Sequence, residues 1–405
     1  MLFVFLSINC YCNYMYNLKL FLFFILINNF ALANDNDYFH DISSRLEFIQ
    51  HSKSEIKKIK IHAEDKFKTT GDKKYLLGSK YIELFLYTDD RFRQLALVYD
   101  LLKLNDSQYE YITIACNFNL AFQFEDVSPK QAMYFLNNSI KINESVGKRY
   151  MLPHLYHLKG RLYYKNKKYD KALLYFKKAL QKYDSSEVYF KASMYNNFGM
   201  TYCHLHNMKK AYEETMKGIQ LLSEKKNLNQ DQLDFLYLMR GNVGFYFYKM
   251  GNYEAAQKFL EQEFNYYKSK DKFFSPILLT CQRLSDLYTL SNVDKKKIIA
   301  YLTNVESSVK NVHDQIIINE ILLKHYSANN ELVQIKRISQ RLVDLNHKFD
   351  NANIQNIKEI SYILNDRVLK NINEKYSYEL SNQKRKIYYA IIIICIICIS
   401  SSMIF

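Results

Sequence analysis

The most constraining feature of this 405-residue chain is a set of alanines that recurs at a nearly constant spacing. Ala132, Ala172, Ala211 and Ala256 are separated by 40, 39 and 45 residues. A glycine precedes each of the last three alanines by twelve residues, and an aromatic residue follows each glycine by three. A fixed period in this range is typical of stacked helical repeats. The pattern therefore predicts an all-α solenoid.

The small residues of this pattern have a packing role. Glycine inside a helix costs about 1 kcal/mol relative to alanine, so its recurrence at one phase indicates that two helix backbones approach closely there. Aromatic side chains then fill the space between layers. We assign this packing role to Tyr156, Gly160, Tyr163, Ala172, Phe176, Ala179, Gly199, Tyr202, Ala211, Gly244 and Ala256.

Composition supports helices and leaves the partner open. Only 9 Gly and 3 Pro are present, which is too little punctuation for a turn-rich β protein. The net charge of +15 fits either a basic surface for anionic partners or lysine-rich solvated helix faces, and the scatter of the lysines favours the second. Of the seven cysteines, two lie within residues 1–33 and two within the apolar run 387–405, and the remaining three, Cys116, Cys203 and Cys281, are too widely separated to indicate a disulfide framework or a zinc site.

The stretch His154–Ala179 resembles the tetratricopeptide repeat family. Its aromatic, Gly, Tyr, Ala, Phe and Ala residues stand at the offsets of the family pattern. The next repeat has Thr215 where the family usually has Phe, and Gly218 where it usually has Ala. The third repeat departs from the pattern at Glu263, which stands at the position of that Ala. The resemblance covers residues 72–350, with the best repeats at 150–270. It implies helical hairpins whose first helices line a groove.

A groove of this kind binds an extended peptide in the family, and the resemblance implies which side chains line it here. The mixture of aromatic, amide and cationic groups suits a peptide. The candidate groove residues are His157, Arg161, Tyr164, Asn196, Met200, Phe245 and Tyr248. The spacing of the histidines is not that of a metal site, and no catalytic motif such as G-x-S-x-G, a P-loop or HExxH occurs. We therefore predict a binding protein without enzymatic activity, metal or cofactor.

Both ends of the chain have membrane-related patterns. Residues 1–33 read as a signal peptide, in which Lys19 precedes an apolar run and Ala31 and Ala33 form a cleavage pattern; Met15 is an alternative start. Residues 34–71 are predicted to be an N-terminal capping helix region. Residues 351–386 form a linker or capping helix, with a coiled-coil stalk as the alternative. Residues 387–405 are uncharged and long enough, at about 28 Å, for one transmembrane helix.

The two ends disagree about topology. A cleaved signal peptide places the repeats on the extracytoplasmic, periplasmic side. The basic residues 384–386 would then also lie outside, whereas basic flanks prefer the cytoplasm. We expect the signal peptide to determine the orientation.

Signal peptide, repeats and membrane helix together resemble the sensory half of bacterial membrane-bound regulators, without an output domain. The resemblance implies a membrane-anchored module for protein or peptide ligands. A non-signalling envelope scaffold is the alternative. No direct nucleic-acid binding is expected, and homodimerisation stays open.

Overall fold

The computed structural model describes residues 37–46, 52–88, 90–126, 128–271 and 273–351. The chain divides into two compact units, residues 1–342 and 343–405. Of the second unit, the structure describes only residues 343–351. The predicted signal peptide (1–33) and transmembrane helix (387–405) lie outside the described residues, as does the linker helix (351–386) after residue 351.

Throughout the described residues the secondary structure is helical, with no strand, which confirms the all-α prediction. None of the helices in these residues is both long and apolar enough to span a membrane. The sixteen helices are α1 (37–46), α2 (Lys53–Thr70), α3 (Lys73–Leu84), α4 (Arg91–Asn105), α5 (Glu110–Phe124), α6 (Pro129–Val146), α7 (Leu152–Lys165), α8 (Tyr169–Leu180), α9 (Val188–His204), α10 (Met208–Ser223), α11 (Gln230–Lys249), α12 (Tyr253–Lys268), α13 (Ile277–Leu290), α14 (Lys296–Val305), α15 (Val312–Ala328) and α16 (332–351).

Consecutive helices pack against one another from α2 to α13, and the hairpins α5/α6, α7/α8, α9/α10 and α11/α12 are the most extensive pairs. The first helices of successive hairpins form a second set of contacts, because α11 also touches both α9 and α13. We call α7, α9, α11 and α13 the inner helices. This arrangement of stacked hairpins is a helical repeat solenoid, as the alanine spacing predicts.

Asparagine is the N-cap of four of these helices. They are Asn207 of α10, Asn229 of α11, Asn252 of α12 and Asn311 of α15, and the side-chain oxygen of each accepts the backbone N–H three residues later, at 2.9 to 3.2 Å. The side-chain oxygen of Gln232 in turn accepts the backbone N–H of Asn229 at 3.3 Å, which completes a capping box. These caps fix where each helix begins, and hence the phase of the small residues that follow.

The repeated glycines lie where another atom occupies the place of a side chain. A Cβ on Gly160 would be 2.5 Å from the ring of Phe176, and one on Gly199 would be 2.0 Å from Oγ1 of Thr215. The alanines Ala172, Ala211 and Ala256 of the second helices are fully buried. Glycine and alanine therefore allow the two helices of a hairpin to approach, and the larger side chain of the partner helix fills the gap.

The repeat pattern changes at α14. Lys297 stands at the phase where the earlier second helices have alanine, and its Nζ donates a 2.9 Å hydrogen bond to Oδ1 of Asn265. Ile298 and Leu302 are buried instead. Helix α13 packs on α15, which takes over part of the contact that a regular partner helix would make.

Gly199→Ala is expected to destabilise the fold. Besides Thr215, the added methyl group would meet the backbone oxygen of Ala211 at 2.9 Å, an atom that cannot move without shifting α10. The clash should outweigh the gain in helix propensity of about 1 kcal/mol and leave a net loss of about 1–2 kcal/mol. Urea unfolding measures it, with exposed Ser54→Ala as control. A stability equal to or above the parent's would refute this packing role.

Candidate functional site

A line of polar side chains connects the inner helices. Nδ2 of Asn197 lies 3.0 Å from Nε2 of His157, joining α9 to α7. Nδ2 of Asn242 donates to Oδ1 of Asn196 at 2.9 Å, and Oδ1 of Asn242 accepts from a terminal nitrogen of Arg283 at 3.1 Å. We call these five residues the polar ladder. It runs over four successive repeats, from α7 to α13.

The ladder follows from sequence phase. Asn197, Asn242 and Arg283 each stand two residues before the small residue of their repeat, which is Gly199, Gly244 or Ser285. His157 and Asn196 each stand three residues before the glycine of their repeat, which is Gly160 or Gly199. Adjacent residues of one inner helix therefore bond to different repeats: Asn197 bonds to the preceding repeat and Asn196 to the following one. The sequence interpretation missed Asn242 and Arg283, although treating Ser285 as a substitute for glycine provides the signal for Arg283.

Two of the predicted groove residues belong to this ladder and are largely enclosed. Asn196 is buried. Burial, reinforced by the nearby positive charge of Arg161 and by His154, lowers the pKa of His157 to about 3. The imidazole is therefore neutral at physiological pH, and its Nε2 accepts the hydrogen bond that the Asn197 amide donates. Both residues connect repeats rather than offering charge to a ligand.

Arg161 is also engaged between repeats. Its guanidinium forms a 2.7 Å ion pair with Glu125, whose carboxylate is only 2% exposed. Lys165 holds the other carboxylate oxygen at 3.1 Å. Because a buried carboxylate needs such partners, the charge of Arg161 neutralises Glu125. Tyr164 lies one helical turn after Arg161. Its ring centroid is 5.3 Å from that of His204 and 5.9 Å from that of Tyr169.

The remaining predicted residues come together around Arg283. Met200 and Phe245 pack against the same buried cluster on α9, α10 and α11. Phe245 stacks on Tyr248, with ring centroids 6.2 Å apart, and the Arg283 guanidinium lies 4.7 Å from the Phe245 ring centroid. Lys249 is 5.3 Å from that ring. We call Met200, Phe245, Tyr248, Lys249 and Arg283 the aromatic–cationic patch.

Arg283 is only partly buried. Within the part of the chain that the structure describes, Asn242 is the one hydrogen-bond acceptor for its guanidinium. A guanidinium has five N–H donors in a planar fork, so donors are left for a further group. Burial lowers the pKa of Arg283, and the group stays positively charged because its ordinary pKa is so high.

A buried carboxyl group lies behind the patch. Glu263 of α12 occupies the space left by Gly241, since a Cβ there would be 1.9 Å from Oε2 of Glu263. That oxygen is enclosed without a hydrogen-bond partner among the described residues. Burial raises the pKa of Glu263 to about 8, although the Arg283 charge and the Thr280 hydroxyl oppose the rise. Glu263 is therefore mostly protonated at neutral pH and leaves the Arg283 charge uncompensated.

Metal and thiol chemistry find no support in the described ranges. No group of three or more His, Cys, Asp or Glu residues there could hold a metal ion. Cys116, Cys203 and Cys281 are free and buried, and burial raises the pKa of each thiol. The thiols are therefore protonated and packed as small apolar side chains.

The fold defines a solenoid of tetratricopeptide type. Residues 153–186 match the family model for the tetratricopeptide repeat, so this stretch is a tetratricopeptide repeat, as its sequence predicts. A comparison with curated proteins found no match.

Solved structures with the same fold include two of NprR. The apo form of this quorum sensor from B. thuringiensis has a TM-score of 0.56 at 17% identity, covering 78% of this chain and 87% of that chain. NprR in complex with its cognate peptide NprX has a TM-score of 0.55 at 13% identity, covering 76% and 88%. A STAND signal-transduction ATPase from Pyrococcus horikoshii with a tetratricopeptide repeat sensor scores 0.50 at 13%, covering 69% of this chain and 44% of its own.

Proposed function

We propose that this protein binds a peptide, or an extended segment of a protein, along its inner helices. The single observation that carries the proposal is the aromatic–cationic patch. Arg283 is held on Phe245 by Asn242 and keeps unused N–H donors, next to the stacked pair Phe245 and Tyr248. Aromatic and arginine side chains are those that most often supply binding energy at protein interfaces.

The polar ladder supports this function indirectly. Because its amides and imidazole bond to one another, they hold the inner helices in register and preorganise the patch. Preorganised side chains lose little entropy on binding. NprR, which was solved with a peptide, has the same fold. We place the ligand at α9, α11 and α13, with His157 and Asn196 as supporting residues.

The proposal is tested by selecting peptides from a random display library on the purified full-length chain. Binding of a selected, fluorescein-labelled peptide is then measured by anisotropy. Phe245→Ala and Arg283→Gln should each weaken binding by about tenfold or more. Tyr134→Ala, at a 62% exposed tyrosine on α6, is the matched control and should have no effect. Equal affinities for all variants would contradict a ligand site at this patch.

We also propose that the repeats face the extracytoplasmic side and are tethered to the membrane, as the sensory part of a regulator. The support is the sequence of residues 1–33 and 387–405. Ser186→Cys adds an exposed thiol between α8 and α9, whereas the native cysteines of the described residues are buried. Membrane-impermeant maleimide should label this variant more strongly than its parent in intact cells. Labelling only after lysis would contradict the orientation.

A further inference from the structure

More than half of the formal net charge of +15 lies on one hairpin. Residues 152–182, which comprise α7, α8 and the turn after it, contain nine Lys and Arg residues and a single Asp. The next hairpin, residues 188–224, has four basic and three acidic residues, and residues 230–270 have five of each. Scattered lysines alone would not produce such a contrast between neighbouring repeats of the same fold.

Three of the nine basic residues already have partners. Arg161 and Lys165 neutralise Glu125, and Lys159 donates to Oδ1 of Asn137 at 2.7 Å. The other six make no ion pair within the described residues, and all except the half-buried Lys178 are exposed. They are Lys167, Lys168, Lys171, Lys177, Lys178 and Lys182. We call these six the lysine face.

Tyrosines hold part of the lysine face in place. The ammonium group of Lys171 lies 5.7 Å from the ring centroid of Tyr163, and that of Lys178 lies 5.1 Å from Tyr175. Tyr163 and Tyr175 stack on each other at 5.3 Å. Cation–π contacts of this length restrain the long side chains without neutralising them. The charges are therefore concentrated, partly ordered and uncompensated.

We propose that the lysine face is a docking surface for an acidic polypeptide segment. Its chemistry favours carboxylates over the alternatives. Nucleic-acid sites of this kind combine basic groups with open aromatic faces and arginine forks, whereas here lysines cover the rings and no arginine belongs to the face. A lipid surface would need a broad apolar stripe to insert, and Leu174 is the one exposed large apolar residue on α8.

The geometry specifies the segment further. Lys171, Leu174 and Lys178 are spaced by three and four residues, so they share one face of α8. They cover about 10 Å along the helix axis, and Lys182 follows just beyond its end. A complementary segment presents several carboxylates over this length, with an apolar residue between them to meet Leu174, which is 49% exposed.

The test uses a fluorescein-labelled twelve-residue peptide of Glu and Ala with one central Leu, and the full-length protein. Anisotropy at low salt measures its affinity. The triple variant Lys171→Glu, Lys178→Glu and Lys182→Glu should bind about tenfold more weakly or worse, since three favourable ion pairs become repulsive. Circular dichroism verifies that the variant is folded.

The control changes the same net charge elsewhere, with Glu at the exposed positions Lys57, Lys258 and Lys336. It should keep affinity within about twofold of the parent's, because remote exposed charges are screened. Equal loss in both triple variants would show attraction by net charge alone and would overturn the proposal.

Two further probes separate the partner classes. A twenty-nucleotide oligothymidine and vesicles of phosphatidylserine and phosphatidylcholine are measured against the same variants. Tighter lysine-dependent binding of either probe than of the acidic peptide would overturn the choice of a polypeptide. Phe245→Ala should leave acidic-peptide binding unchanged, because Phe245 does not belong to the lysine face. The docking surface and the proposed ligand groove are therefore tested independently.

Discussion

Glu263→Gln is expected to stabilise the protein, and the gain should be largest in alkaline solution. The ordinary pKa of a Glu side chain is 4.5, and burial raises that of Glu263 to about 8 in the fold. The folded state therefore holds the proton more tightly than the unfolded state. The contribution of this group to stability falls as the pH rises from about 4.5 to 8 and is constant above. The full penalty is on the order of a few kcal/mol.

Glutamine keeps the shape of the side chain and cannot ionise, so it removes this pH dependence. Urea unfolding of parent and variant at pH 5 and pH 9 measures the effect. Glu254→Gln, at an exposed position in the first turn of the same helix, is the matched control and should change each value by less than about 1 kcal/mol, to a similar extent at both pH values. A stability difference between parent and Glu263→Gln that is the same at both pH values would show that the carboxyl does not titrate in the fold.

Phe176→Ala is expected to cost about 3–5 kcal/mol of unfolding free energy. The ring is 1% exposed and fills the space opposite Gly160. It also contacts the rings of His157 and Phe198, at centroid distances of 6.1 and 6.3 Å. Truncation therefore opens a cavity where α7, α8 and α9 meet. This cavity lies beside His157, which joins α7 to Asn197 of α9 in the polar ladder.

Leu174→Ala, at an exposed position on the same helix, is the control for Phe176→Ala and should change stability by no more than about 0.5 kcal/mol. Gly160→Ala adds a test of mechanism. Its clash is with the Phe176 ring, so its cost should shrink in a Phe176→Leu background, giving a non-additive cycle. Similar losses for Phe176→Ala and Leu174→Ala would contradict the assigned packing.

The sequence predicts the packing of the hairpins well because that packing depends on residue size at a fixed phase. Gly160 and Phe176 sit at offsets that any antiparallel hairpin of this length brings together. Contacts between repeats are harder to predict, since they depend on how far one hairpin rotates against the next. The phase of His157 and Asn196 places them on the inner helices, whereas only the structure brings them against Asn197 and Asn242.

The contact between Glu263 and Gly241 is a second one that the sequence does not predict. In the sequence, Glu263 replaces the small residue of the family pattern, and Gly241 is a second glycine in the same hairpin, three residues before Gly244. Taken alone, each residue weakens the resemblance of this hairpin to the repeat pattern. In the structure they compensate, because the missing side chain of Gly241 makes room for the carboxyl group. Arg283 is hard to predict because its repeat has Lys297 in place of alanine, which makes that hairpin look irregular in the sequence.

The proposed ligand groove is tested most directly by photo-cross-linking. A benzoylphenylalanine is placed at Tyr248, beside Phe245 on α11, or at the exposed Tyr134 on α6 as the control. With a peptide selected on the full-length chain, the probe at Tyr248 should give a cross-link that excess unlabelled peptide abolishes, and the probe at Tyr134 should give none. A competed cross-link from Tyr134, with none from Tyr248, would contradict binding along the inner helices.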